Sequence, residues 1–187
     1  EEAYDFIHRC CGSYEAQKAD AIYRFVQEGL RMGRAVMSHL TAPYMQTLFA
    51  IERNFTNESH FFIEILRFEE LENGTLFGRI NPKSEVLPYL ADHFADRFAG
   101  EQWVIADTVH RTVLLHKANY KTVYLSMDEV DMDELTLTYS EDEKQLQKLW
   151  KLFVDTIAIK ERVNPKLLRQ MLPLRFRKYM KEFSESE

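Results

Sequence analysis

Glycine is scarce in this chain, with six in 187 residues, and the six do not gather into a loop that could cradle a phosphate. Cysteine is scarcer still, since the only two, Cys10 and Cys11, are neighbours. A bridge between adjacent cysteines is strained, so both are expected as reduced thiols, the state that suits a cytoplasmic protein. No apolar run is long enough to suggest a membrane span, and no secretory signal opens the sequence. The spacings H-E-x-x-H and C-x-x-C are missing, as is a serine in a nucleophile-elbow context. The sequence therefore points to no metal site, no cofactor and no nucleophilic triad. It opens on Glu1 rather than methionine and is expected to be a fragment of a longer protein.

What the chain does have is apolar and charged residues in uneven order. Apolar side chains make up 45% of it, enough to build a core and too many for a disordered segment. The net charge is −6, yet the stretch from Lys160 to Lys181 holds eight Lys or Arg against one acid, Glu161. Eight acids fall between Asp128 and Glu143. An acidic chain with one basic end points to local recognition of an anion rather than to a generally cationic coat for nucleic acid.

Periodicity organises the rest. Between residues 15 and 40, Ala19, Ile22, Tyr23, Val26, Leu30, Val36, Met37 and Leu40 follow helical spacing and are expected as one buried stripe. Pro43 opens a second helix, expected through about Asn54. The period then shortens, and "IEILRFEELENGTLFGRINP" reads as a hairpin. A two-residue Asn73-Gly74 loop would scatter its apolar residues over both faces. A three-residue loop, Glu72-Asn73-Gly74 with Gly74 left-handed, keeps Leu66 and Phe68 on the face of Leu76 and Ile80. A helix is expected from near Pro88, with Leu87, Leu90, Phe94 and Phe98 on one side. Strands are expected near 102–107, 111–117 and 120–125, with turns at Asp107 to His110 and at Ala118-Asn119. A helix from about Glu141 to Ile159 would bury Leu146, Leu149, Trp150, Phe153, Val154 and Ile157. A short helix between Pro165 and Pro173 and a final basic one close the chain.

The expectation is therefore a single α+β domain over 1–187, with an antiparallel sheet of four to five strands in a ββαββ core packed by N- and C-terminal helices. Within it, 1–59 is helical, 60–126 holds the sheet and one helix, 127–140 is an acidic linker, and 141–187 is helical with a basic end.

The candidates for chemistry are few. Glu58 and His60 could pair as acid and base, or could pack and cap. His93 and Arg97, four apart on one helix face, could meet one phosphate, although a histidine there also serves as a partly buried hydrogen-bonding group. Asp107 reads either as an acid or base at a strand end or as a turn-former. Arg67 either pairs with Glu69 or Glu70 or faces a ligand. In the basic segment, Lys160, Arg162, Lys166, Arg169, Arg175, Arg177 and Lys178 flank two helix starts. Asn164 and Pro165 suit a capped first turn, where free N–H groups and arginine forks accommodate an anion. The competing reading is a basic face that answers the chain's own acidic stretch.

The stretches "ESHFFIEILRF", "RINPKSEVLPYLADHFADRF", "WVIAD" and "LWKLFVDTIAIKERVNPKLLRQMLPLRFRKYM" resemble a bacterial family of unknown function whose members are assigned to DNA metabolism or DNA repair. The resemblance runs from about Gly33 to Phe183, and "IAIKERxNPxLxxQxxPxR" is its most specific part. It implies DNA and a radical-SAM protein as partners, and some members are fused to a uracil-DNA-glycosylase-like domain. The matching positions include Glu58, His60, Arg67, His93, Arg97, Trp103, Asp107, Trp150, Lys160, Arg162 and Arg175. Two departures matter: the family often has His where Ser84 stands, and an aromatic pair where Phe176-Arg177 stand. Its members usually carry a further N-terminal segment, and the family supplies no reaction to carry over.

Three functions follow as expectations. The first is a DNA-associated module that binds nucleic-acid phosphates through Arg67, Arg97, Lys160, Arg162, Arg169, Arg175 and Lys178 and acts with a partner enzyme. The second is an enzyme on nucleic acid that uses Glu58, His60, His93 or Asp107 as acid-base groups. The third is a scaffold whose basic residues meet an acidic surface on the radical-SAM partner.

Overall fold

Helical and strand periods sort into two compact units, one of residues 1–65 with 82–93 and one of residues 66–81 with 94–187. The computed structural model describes residues 2–129, 138–157 and 164–183. In chain order the regular elements are α1 (Glu2–Gly12), α2 (Lys18–Met32), α3 (Pro43–Ile65), β1 (Glu69–Glu70), β2 (Leu76–Ile80), α4 (Leu87–Arg97), β3 (Trp103–Asp107), β4 (Thr112–His116), β5 (Val123–Ser126), α5 (Glu141–Ile157) and α6 (Pro165–Met171). Single 3-10 segments follow at Gly33–Ser38, Met127–Glu129, Leu174–Tyr179 and Lys181–Phe183. The fold class is α+β, as the sequence pattern implies.

The first unit is built on α1, α2 and α3 around Phe6, Cys10, Phe25, Met45, Leu48 and Ile51. Two expectations change here. The second helix continues past Asn54 to Ile65, because Ile51, Phe55, Phe62 and the buried Glu58 and Ser59 carry the three-four spacing onward. On α2 the buried face is that of Ala21 and Phe25, whereas Tyr23, Val26 and Leu30 are exposed, Leu30 at 86%. Residues 18–32 carry two apolar faces. The larger Phe25 ring, packed 6.0 Å from Phe6, decides which of them turns inward.

The second unit holds a five-stranded sheet in the order β1-β2-β3-β4-β5. Three pairings are antiparallel, as expected for the whole sheet. The pairing of β2 with β3 is parallel, Leu76 opposite Trp103 and Ile80 opposite Asp107. The chain between these strands includes α4, and a helical crossover returns the chain to the end where β2 began. The hairpin has the three-residue loop: Glu70 pairs with Leu76, the Gly74 N–H donates to the Leu71 carbonyl at 2.8 Å, and Gly74 has φ +77°. Leu66, Arg67 and Phe68 lie outside β1, in the link that leads into it. Phe77, Val104, Ala106 and Val113 form the core on one face. On the other, Trp103 stacks on His116 at 5.0 Å, beside Phe68, Phe94 and Phe98.

The C-terminal helices depart most from expectation. The α5 stripe of Leu146, Leu149, Phe153 and Ile157 is exposed at 51–62%. Period determines which side chains share a face, but not whether another element covers it. Among the described residues no helix is long and apolar enough to cross a membrane.

Candidate functional site

In the second unit a cavity of about 250 Å³ is lined by Arg67, Phe68, Glu69, Glu143, Leu146, Gln147, Trp150 and Tyr179. The link before β1 supplies Arg67 and Phe68, β1 supplies Glu69, α5 supplies the next four, and the 3-10 turn at Leu174–Tyr179 supplies the last. Glu143, Leu146, Gln147 and Trp150 share a side of α5 because they are three and four residues apart.

The charges around this cavity are unequally engaged. Glu69 is buried, accepts from the Tyr139 hydroxyl at 2.7 Å and from Arg79 at 3.3 Å, and so balances Arg79. Burial, then the hydrogen bond to Glu69 and its charge, push the Tyr139 hydroxyl up to about 12, so it remains a donor. Glu143 accepts from the Glu70 N–H at 3.3 Å and from the Gln147 amide at 2.7 Å. Arg67 is different. Its guanidinium lies 3.8 Å from the centre of the Trp150 ring, and among the described residues it has no carboxylate and no hydrogen-bond acceptor. It is an exposed cation held by an aromatic face, with its donors open to a ligand. The Trp150 indole N–H is shielded and has no acceptor among the described residues.

Lys178 joins this neighbourhood through Tyr179, whose ring its ammonium approaches at 5.0 Å, with Arg79 at 5.1 Å from the same ring. Arg97 lies over Phe98 at 5.6 Å, and Phe98 packs against Phe68 at 5.2 Å. Arg67, Arg97 and Lys178 are thus linked through the aromatic side chains around the cavity. Arg175 sits over Phe176 at 4.2 Å, and its carbonyl accepts from Asn81. Arg169 is exposed on α6 beside Lys166 and lines that helix's own shallow groove. The Asn164 side chain accepts from the Leu167 N–H at 3.1 Å, which confirms the cap and occupies one of the N–H groups expected to meet an anion. Lys160 and Arg162 lie outside the described residues, as does most of the acidic stretch, 130–137.

The acid-base candidates do not form one cluster. Glu58 is buried in α3 and accepts from the backbone N–H groups of Lys83 and Ser84 at 3.0 and 3.1 Å. His60, two residues on, points elsewhere on the helix and is exposed. His93 is exposed on α4 within the first unit. Asp107, in the second unit, is fully buried and accepts from the N–H groups of Val109 and His110 at the turn. It also contacts Nδ1 of His110 at 2.7 Å. That pair orients the imidazole through Nδ1. In sequence the signal for this pair is an Asp and a His three apart across a turn.

A family model described as a domain of unknown function, DUF4130, matches residues 16–182. The chain belongs to that family. The match takes in parts of both units and every lining residue of the cavity. No curated protein and no solved structure matches the chain.

Proposed function

We propose that this chain is a nucleic-acid phosphate-binding module that acts beside a partner enzyme in DNA metabolism. The observation that carries the reading is Arg67, an exposed guanidinium held on Trp150 with no acidic partner among the described residues. An arginine left unneutralised beside two carboxylates already engaged elsewhere suits an oxyanion, and two oxygens of a phosphate match its fork. Lys178 and Arg97, reached through Tyr179 and Phe98, extend the positive charge. The resemblance of the sequence motifs to DNA-metabolism proteins supports DNA as the anion and a radical-SAM protein as the partner enzyme.

Fluorescence anisotropy with a labelled oligonucleotide tests this. Affinity is expected to fall steeply between 50 and 200 mM salt, with a slope of about 0.7 to 0.9 per phosphate contact. Arg67→Ala is expected to weaken binding and to flatten the slope by about one contact. Binding indifferent to salt and to Arg67→Ala would reject the reading.

A second reading, an enzyme on nucleic acid, is favoured by one contact, that of the buried Asp107 with His110. A carboxylate that fixes one imidazole nitrogen leaves the other as a directed proton acceptor. If purified protein converts an oligonucleotide, His110→Ala is expected to abolish the conversion and His60→Ala to leave it intact.

A further inference from the structure

We infer that the Arg67–Trp150 cavity receives an unpaired nucleobase from a single strand, while the adjoining phosphate stays at Arg67. This rests on the nucleic-acid reading above and adds which part of the nucleic acid enters.

Phe68, Leu146, Trp150 and Tyr179 make the lining largely apolar, so a phosphate taken inside would lose its hydration without return. Glu69 and Glu143 border the same space and would repel it. The phosphate therefore stays with Arg67, which is exposed. The group that enters has to be uncharged, flat enough to lie on aromatic faces, and able to donate hydrogen bonds. Acceptors await it, since a carboxylate has more lone pairs than the contacts Glu143 already makes, and the Gln147 amide oxygen has no partner among the described residues. A nucleobase has these properties. The cavity, at about 250 Å³, falls just below the range of about 300–1,000 Å³ for drug-sized ligands, which suits one base and not a pair. A base inside a duplex has both faces stacked and its pairing edge engaged, so only an unstacked base can enter.

Three labelled DNA probes of equal length test the inference on the unaltered protein: a single strand, the same strand with abasic sugars at its central positions, and a duplex. The single strand is expected to bind about ten-fold more tightly than the abasic strand, the size of one base–aromatic stack, and more tightly than the duplex. It is also expected to quench tryptophan fluorescence, because Trp150 lines the cavity whereas Trp103 is fully buried. Trp150→Ala is expected to abolish the difference in affinity between the single strand and the abasic strand. Equal affinity for the three probes, still salt-dependent and weakened by Arg67→Ala, would overturn the base pocket and leave the phosphate reading standing. No binding of any probe would overturn both. The probe comparison needs no variant, so misfolding of Trp150→Ala would not obscure it.

Discussion

Glu58 directs both carboxylate oxygens at the backbone of the Lys83–Ser84 turn, from a helix position that is 5% exposed. A carboxylate that closes a turn in this way is a structural clamp. Glu58→Ala leaves two N–H groups without their acceptor and is expected to cost about 1–3 kcal/mol. Glu58→Gln, which keeps one carbonyl oxygen, is expected to cost less. Urea unfolding of the two variants decides it, and equal stability of Glu58→Ala and the parent would exclude the clamp. Cys10 is similarly committed to the interior. Burial above all, with the Glu52 charge and the neighbouring Cys11 thiol adding to it, pushes its thiol up to about 12, whereas Cys11 is exposed. Asp107 and His110 show the limit of reading at this scale. Three residues apart in sequence, they meet only because Asp107 also accepts the turn's own N–H groups and so folds the imidazole back onto itself.

The hairpin between β1 and β2 was legible because everything that determines it is local: the alternation of apolar residues and a glycine that can take φ +77°. The same holds for Pro88 in the first turn of α4 and for the Asn164 cap. Helix α5 was legible as a helix but not in its burial, since Leu149 and Phe153 are exposed at 62% and 51%. Leu149→Lys with Phe153→Lys is therefore expected to change unfolding free energy by no more than about 0.5 kcal/mol each, the range of surface substitutions. The core expectation would instead require about 2–5 kcal/mol for each, and urea titration separates the two. The cavity itself was not legible. In sequence Arg67 either pairs with Glu69 or Glu70, its neighbours, or faces a ligand; the residue beneath it is Trp150, and Glu69 balances Arg79.

At the scale of the whole molecule, half-buried tyrosines set an alkaline limit on stability. Tyr89 and Tyr139 are both pushed up to about 12, chiefly by burial. In the unfolded chain tyrosines ionise near 10. Between these values the folded protein retains protons that the unfolded chain releases, so their stabilisation is complete below about pH 10 and is lost as pH rises toward 12. Absorbance titration at alkaline pH is expected to show a late-ionising fraction among the nine tyrosines, with Tyr89→Phe and Tyr139→Phe each reducing it. All nine titrating together in the folded protein would count against it.

The parallel pairing of β2 with β3 carries a consequence for the order of assembly. β3, β4 and β5 are joined by short turns, but β2 reaches β3 only after the chain that includes α4 is closed into a loop. Closing that loop costs entropy before any contact repays it. Val113→Ala in β4 is thus expected to slow folding, whereas Phe77→Ala in β2 acts mainly by speeding unfolding. Chevron plots of the two variants with the opposite pattern would reverse the order. The β1–β2 hairpin, with Arg67 just ahead of it, would then be the last piece of the sheet to dock, so the cavity exists only in the finished molecule and in no earlier intermediate.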